Sequence, residues 1–195
     1  MTSSIDHFEE QQPLAYRESW WSQWGKRVFD VVFVLGTAIV WVPLFALTYL
    51  VVLITTGRPV LFLQQRVGLE NKSFTIYKFR TMSAAKAAPE QAKYASWTYP
   101  GDPRVTPVGR WLRKRRVDEL PQLFNVLRGE MSLIGPRPET QEVVSGLSSR
   151  FADYNQRHQL KPGLTGLCQV SSSYYHFTTD EEIRTKLDID LQYLA

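Results

Sequence analysis

The chain carries one cysteine, Cys168, in 195 residues, which excludes an internal disulfide framework and a CxxC redox pair. Cys168 itself reads as a small packing residue. With three histidines and no His/Cys cluster, a zinc site is excluded too. No GxxxxGK[ST] stretch occurs, so there is no P-loop. Internal repeats and low-complexity tracts are also lacking. Charge is missing over one long stretch: the 26 residues from Val31 to Thr56, VVFVLGTAIVWVPLFALTYLVVLITT, hold no charged side chain. Elsewhere the chain is ordinary, with 44% hydrophobic and 22% charged residues. That excludes disorder and fits one domain with an anchor added. The net charge of +4 points to anionic partners, which are nucleic acid, anionic lipid or phosphorylated metabolites.

The apolar stretch exceeds the roughly 20 residues a helix needs to cross a bilayer core. It is too long for a signal peptide, and no small-residue cleavage site follows. Lys26 and Arg27 precede it, while Arg58 and Arg66 follow. A single span would strand one basic flank on the wrong side. Pro43 stands mid-run, where it removes a backbone donor and bends or breaks a helix. These features predict a re-entrant helix–break–helix hairpin that enters and leaves by one leaflet, with the break at Pro43. An ordinary kinked transmembrane helix is the alternative. Trp20, Trp21 and Trp24 just before it suit an interfacial anchor. The organisation expected is a polar tail with this Trp cluster over 1–25, a membrane segment over 26–57, and a catalytic domain over 58–195.

In that domain Pro59–Gln65 and Ser73–Phe79 read as short strands around Gly68-Leu69-Glu70-Asn71. Residues 83–97 are Ala-rich and helix-prone apart from Pro89. Asp102-Pro103-Arg104 and Thr106-Pro107 make a stiff loop. Arg110–Arg116 (RWLRKRR) is strongly basic and leads into Asp118-Glu119-Leu120-Pro121. The spacing Leu120, Leu123, Phe124, Leu127 predicts a helix that Gly129 stops. Two further loops, Gly135-Pro136-Arg137-Pro138 and Lys161-Pro162-Gly163-Leu164-Thr165-Gly166, flank a helix expected over 139–160. The fold class is therefore α/β and mainly helical, with a membrane hairpin and a small catalytic domain holding short strands.

Asp118 is expected near the N-cap of its helix, with Glu119 complementing the dipole. Capping alone would account for both. Three features favour chemistry. Lys78, Arg80, Arg104, Arg113 and Arg137 gather on proline-stiffened loops, where Arg grips phosphate bidentately. Adjacent carboxylates suit a diphosphate, one attacking phosphorus while the other helps hold Mg²⁺. A helix N-terminus also favours negative charge and phosphate. His158 reads as a structural hydrogen-bonder. The basic residues lie among proline turns, not along a readable helix or aromatic platform, so nucleic acid is not an expected partner.

Taken in order, Lys78-Phe79-Arg80-Thr81-Met82, Asp102-Pro103-Arg104-Val105-Thr106, Asp118-Glu119-Leu120-Pro121-Gln122-Leu123 and Gly135-Pro136-Arg137-Pro138, followed by Arg157-His158 and Pro162-Gly163-Leu164-Thr165-Gly166, resemble the bacterial sugar transferase family. These are the monotopic phosphoglycosyl transferases that start polyprenyl-linked glycan assembly. The likeness runs from about Lys26 to Tyr193. It implies a re-entrant membrane helix in the bacterial inner membrane, a site on the cytoplasmic face, and Mg²⁺. It also implies a UDP-sugar donor, with undecaprenyl phosphate as acceptor, in polysaccharide assembly. By resemblance Asp118 is the covalent nucleophile, and Glu119, beside it, holds Mg²⁺ with it. Lys78, Arg80, Arg104 and Arg137 bind phosphate or nucleotide, and Gln122 and Arg157, inside the matching motifs, join that substrate-binding set. The homodimer is left open.

Two departures stand out. Ser171-Ser172-Ser173 follows Gln169-Val170 where relatives commonly carry Asn-Gly-Arg, and the chain stops at Ala195 where relatives continue. The early stop reads as a shortened member or a truncated chain. Both motivate a second reading, a catalytically silent membrane scaffold that binds anionic lipid or a partner enzyme. For the hairpin, engineered cysteines at positions 10 and 70 are expected to label from the same side of a membrane; labelling from opposite sides would establish a single span.

Overall fold

The computed structural model describes residues 24–83, 101–171 and 179–193. The expected tail, Trp20, Trp21, nearly all of the Ala-rich segment, Ser172 and Ser173 lie outside them. Two helices open the described chain, α1 (Lys26–Gly36) and α2 (Ala38–Thr56). The polar residues of α1 are spent on the domain. Lys26 donates to the Ile134 carbonyl at 2.6 Å, and Arg27 donates to the carbonyls of Val126 and Leu127. Buried Asp30 accepts from the Leu133 amide at 3.0 Å. The basic flank before the apolar run thus ties a helix down, and carbonyls at a helix C-terminus welcome such cations.

The helix break is at Thr37 (φ −91°, ψ 3°), six residues before the expected place; Pro43 lies inside α2. The reason is local. The Thr37 hydroxyl donates to Phe33 O at 2.7 Å, and the Trp41 indole donates to Val34 O at 2.8 Å. Trp41 and Phe45, on either side of Pro43, both stand edge-on to Phe124 with centroids 5.6 Å apart. Packing therefore carries α2 through the bond that proline forfeits. The 19 residues of α2 are apolar enough to cross a membrane. One stripe, Trp41, Phe45, Thr48 and Val52, meets the domain, while Ile39 and Ile54 on the outer side are 83% and 81% exposed.

Strand β1 (Leu61–Val67) pairs antiparallel with β2 (Ser73–Phe79), in a register running from Leu61 opposite Phe79 to Val67 opposite Ser73. The first strand starts two residues later than its sequence suggests. Helix α3 (Pro107–Lys114) follows, with the Thr106 hydroxyl accepting from the Gly109 amide at 2.9 Å. After it come α4 (Gln122–Arg128), ended as expected by Gly129 at φ 81°, and β3 (Ser132–Ile134). The helix expected over 139–160 is two pieces, α5 (Gln141–Ser148) and a 3-10 stretch over Tyr154–Gln159. Serines divide them: Ser149 bonds Gly146 O and Ser148 bonds Asn155 Oδ1, both at 2.9 Å, and such local bonds compete with helix. Strand β4 (Gly163–Thr165), α6 (Leu167–Val170) and α7 (Asp180–Gln192) complete the chain, the last opened by a Thr179/Glu182 capping box.

β3 and β4 pair in parallel, bringing the two proline-glycine loops together. Gly135 N donates to Thr165 O, and Gly163 N donates to Pro136 O, each at 2.9 Å. A Cβ on Gly163 would lie 2.1 Å from Gly135 N, closer than any side chain can sit. Glycine is required here for close approach of two backbones. Gly163→Ala is accordingly expected to destabilise by at least about 1–3 kcal/mol. Gly146→Ala, in an α5 position with open space around it, should instead stabilise by about 0.5–1 kcal/mol. Thermal unfolding of both variants checks the contrast.

Candidate active site

Arg116 adopts the left-handed conformation (φ 57°, ψ 16°) and turns the chain out of α3 into a 3-10 turn, Val117–Glu119. Asp118 and Glu119 sit on that turn and are both buried. Neither caps α4, contrary to expectation. The N-cap is Pro121, with no side-chain bond to the helix, because a residue without an amide loses nothing at a helix start. The carboxylates are therefore not accounted for as helix ends.

Glu119 collects cations from three directions. Its Oε1 accepts from Lys78 Nζ of β2 at 3.1 Å and from Arg137 Nη2 of the Gly135–Pro138 loop at 2.9 Å. Its Oε2 faces Arg116 Nη1 at 3.5 Å. Burial alone would raise its pKa, but Arg137 and Lys78 outweigh it and hold the carboxyl at about 2. Asp118 goes the other way. Burial and then the Glu119 charge raise its pKa, only partly opposed by Lys78 and Arg113. Among the described residues Asp118 forms no ion pair. Two neighbouring carboxyls thus differ: one is ionised and enclosed by cations, the other is more basic and, among the described residues, outside any ion pair. Environments that push two pKa values apart are a mark of acid, base or nucleophile assignments.

The remaining residues singled out from sequence divide. Arg113 comes in from α3, its Nε donating to Thr81 Oγ1 at 2.8 Å. Arg104 pairs with buried Asp102 at 2.6 Å; the Arg113 pKa is lowered by burial, with the Asp118 and Asp102 charges opposing and Arg104 adding to the lowering. Arg80 reaches back to the Thr56 carbonyl at the end of α2. Gln122 is 2% exposed, its Nε2 without a partner among the described residues. Arg157 does not reach the site. It is 1% exposed, pairs with Asp190 Oδ2 at 2.6 Å and donates to the Arg137 carbonyl at 2.8 Å, so it stands behind Arg137. His158 is structural, as expected: Nδ1 lies 2.6 Å from Asn71 Oδ1, and burial with Arg157 beside it pushes the ring down to about 4. Cys168 is buried in α6.

The bacterial sugar transferase family model matches residues 21–195. The chain belongs to the bacterial sugar transferase family. It is 39% identical over 89% of its length to the undecaprenyl-phosphate glucose phosphotransferase of Komagataeibacter xylinus, of which it covers 33%. It is also 42% identical over 87% of its length to the UDP-glucose:undecaprenyl-phosphate glucose-1-phosphate transferase of Caulobacter vibrioides, covering 62% of that protein. A third relative is the UDP-N-acetylgalactosamine-undecaprenyl-phosphate N-acetylgalactosaminephosphotransferase of Aeromonas hydrophila, 38% identical over 97% of the chain and 44% covered. The chain thus spans between a third and just under two thirds of the length of these relatives.

Within this bacterial sugar transferase two site residues were not singled out. Arg116 was hidden in a run of basic residues, and its contact with Glu119 depends on a positive φ that nothing in RWLRKRR signals. Asn125, fully buried, welds α4 to β2: its Oδ1 accepts from Tyr77 N at 3.2 Å and its Nδ2 donates to Thr75 O at 2.7 Å. The donor set for a metal is small. Among the described residues no three metal-ligating side chains cluster. Two carboxylates do suit magnesium, which keeps waters and takes further oxygens from substrate phosphates.

The pair behind Arg137 gives a stability prediction. Arg157→Ala leaves Asp190 charged and buried and is expected to cost about 3–5 kcal/mol, whereas replacing both by apolar residues of like volume should cost far less. Denaturant unfolding of the single and double variants measures the difference.

Proposed function

We propose that the chain transfers a sugar-1-phosphate from a UDP-sugar to undecaprenyl phosphate through a covalent phospho-aspartate, as an early membrane step of polysaccharide assembly. The observation that carries this reading is the asymmetry of the carboxyl pair, with Asp118 in no ion pair among the described residues beside a Glu119 enclosed by Lys78, Arg137 and Arg116. An Asp118 oxygen attacks the phosphorus that bears the sugar. The bond from that phosphorus to the bridging oxygen breaks, and UMP leaves with the electron pair. An oxygen of the lipid phosphate then attacks the same phosphorus. The Asp118–phosphorus bond breaks, returning the carboxylate and releasing the diphosphate-linked sugar. Lys78, Arg137 and Arg116 present positive charge where phosphoryl oxygens gather charge. Mg²⁺, held by Asp118 and Glu119 with the donor's diphosphate, would neutralise the leaving phosphate.

The activities of the relatives support the donor and acceptor classes; glucose and N-acetylgalactosamine both occur in their names. A raised pKa suits the nucleophile, because a carboxylate made more basic by burial attacks more readily once ionised. The membrane side of the proposal is a monotopic placement at the inner membrane with the site on the cytoplasmic face. Its support is that α4, which follows Asp118, packs Leu123 and Phe124 against Trp41 and Phe45 of α2. Both sides of the Thr37 break rest on the domain, so the outer face of the two helices would lie in the lipid and the carboxylates just beneath it.

Asp118→Asn is expected to abolish UMP release and leave no phosphosugar adduct to trap; near-normal turnover would refute the mechanism. Arg137→Ala should lose about 10²–10³-fold in kcat. The pH profile gives a further check with a definite sign. UMP release should fall as pH drops through the pKa of Asp118, which burial and Glu119 raise from its ordinary value, with Glu119 staying ionised to about pH 2. Residual activity in Glu119→Gln should show that acidic limb moved to lower pH, since the charge that raises Asp118 is gone.

A further inference from the structure

A cleft of about 400 Å³ opens beside Glu119, bounded by the turn into α4, α4 itself, β4 and α6. Its charged lining is the Arg116–Glu119 pair, whose members are 3.5 Å apart and so occupy one end. The other walls are Leu120, Leu123, Leu164 and Val170. Gln169 also lines it; its Nε2 is taken by Leu164 O at 3.2 Å, and its Oε1 is buried without a partner among the described residues. Among the described residues, the Thr165 hydroxyl is the one other neutral polar side-chain group on the walls.

Leu120, Leu123 and Leu164 pack in the same cluster as Val34 and Trp41, which flank the break between α1 and α2. Val170, at 73% exposed, stands at the rim, and Leu167 on the same short helix is 48% exposed. The cleft therefore runs from the carboxylate pair to the foot of the apolar helices. A nucleoside or a sugar placed here would leave most of its hydroxyls and ring nitrogens without partners, at a cost for each one buried. A hydrocarbon chain has no such groups and suits leucine walls.

We infer that this cleft takes the first isoprene units of the lipid-phosphate acceptor, with Leu164 and Val170 lining its path and the phosphate directed to the carboxylate end. The inference rests on the transfer reading above and deepens it. It assigns the acceptor chain, and not the donor sugar or nucleoside, to the α4–α6 cleft. Only one end of a ligand can occupy it, so donor binding must use the opposite, cation-rich side formed by Lys78, Arg113 and Arg137.

The two half-reactions separate the assignments. Val170→Asp puts a charge at an exposed position where the fold tolerates it. Without acceptor, the stoichiometric release of UMP from a UDP-sugar should stay within about twofold of the unaltered chain. Discharge of the adduct by farnesyl phosphate should slow by about tenfold or more, the cost of one charge against a buried chain. Discharge by methyl phosphate, which has no chain to reach the cleft, should not change. A slowed UMP burst in Val170→Asp would assign the cleft to the donor and overturn the inference, as would unchanged discharge by farnesyl phosphate. Photocrosslinking a benzophenone-bearing prenyl phosphate to the Asp118→Asn chain is independent of the covalent mechanism. Adducts on residues 164–170 support the assignment, and adducts confined to other segments refute it, even where no phospho-aspartate forms.

Discussion

A carboxylate buried at 6% exposure must be surrounded by positive charge or give up its own, and Glu119 is surrounded. Its three partners come from β2, from the turn after α3 and from the loop after β3. Each of those segments has to be held independently for the charges to converge. The β1–β2 hairpin presents Lys78, the left-handed turn at Arg116 aims its guanidinium back at Glu119, and the Gly135–Gly163 backbone contact fixes the loop of Arg137. Much of the small domain is scaffolding for that one convergence. Burial and then the adjacent Glu119 charge raise the pKa of Asp118, which forms no ion pair among the described residues.

The apolar helices are part of the same construction. Lys26, Arg27 and Asp30 hold α1 to the end of α4 and to β3, while Trp41, Phe45 and Val52 lay α2 across α4 and β2. The elements that carry Lys78 and follow Asp118 are thus the elements that meet α2. An anchor joined by a loose linker would leave the distance between site and bilayer free. Packing through two core clusters instead fixes the apolar helices against the elements that carry the site.

Much of this was legible in the sequence. The Asp118-Glu119 pair, Lys78, Arg137, the two strands, the stop at Gly129 and the apolar run all follow from pattern and turn chemistry. What was not legible depends on tertiary contact. The break fell at Thr37 and not at Pro43 because Trp41 and Phe45 pin the proline turn to Phe124, a contact that no local propensity encodes. Lys26, Arg27 and Arg66 read as membrane flanks, yet the first two bond domain carbonyls and Arg66 lies 3.6 Å from Glu139. Arg157 read as a ligand for substrate because it sits in a motif. Only its burial against Asp190 shows that a motif residue can act one layer behind the chemistry.

That layer has a physical logic. Arg137 must hold its guanidinium on Glu119 while its own loop is short of regular structure, and a loop of glycine and proline offers few backbone bonds of its own. The deficit is met from behind: Arg157 donates to the Arg137 carbonyl, Arg66 to the Pro138 carbonyl, and Val67 N to the Glu139 carbonyl at 2.9 Å. Lys186 of α7 adds an ion pair to Glu139 at 2.7 Å, which with Arg157 and Arg66 outweighs burial and holds that carboxyl at about 2. Asp190, one turn further along α7, closes the set by neutralising Arg157. A loop that has proline in place of donors is held here by its carbonyls, taken partly by backbone amides and partly by the buried cations Arg157 and Arg66. Arg157 in turn requires a buried acid, Asp190, on a helix that is otherwise remote from the site. The C-terminal helix is therefore coupled to the chemistry through charge balance, without contributing a residue to it.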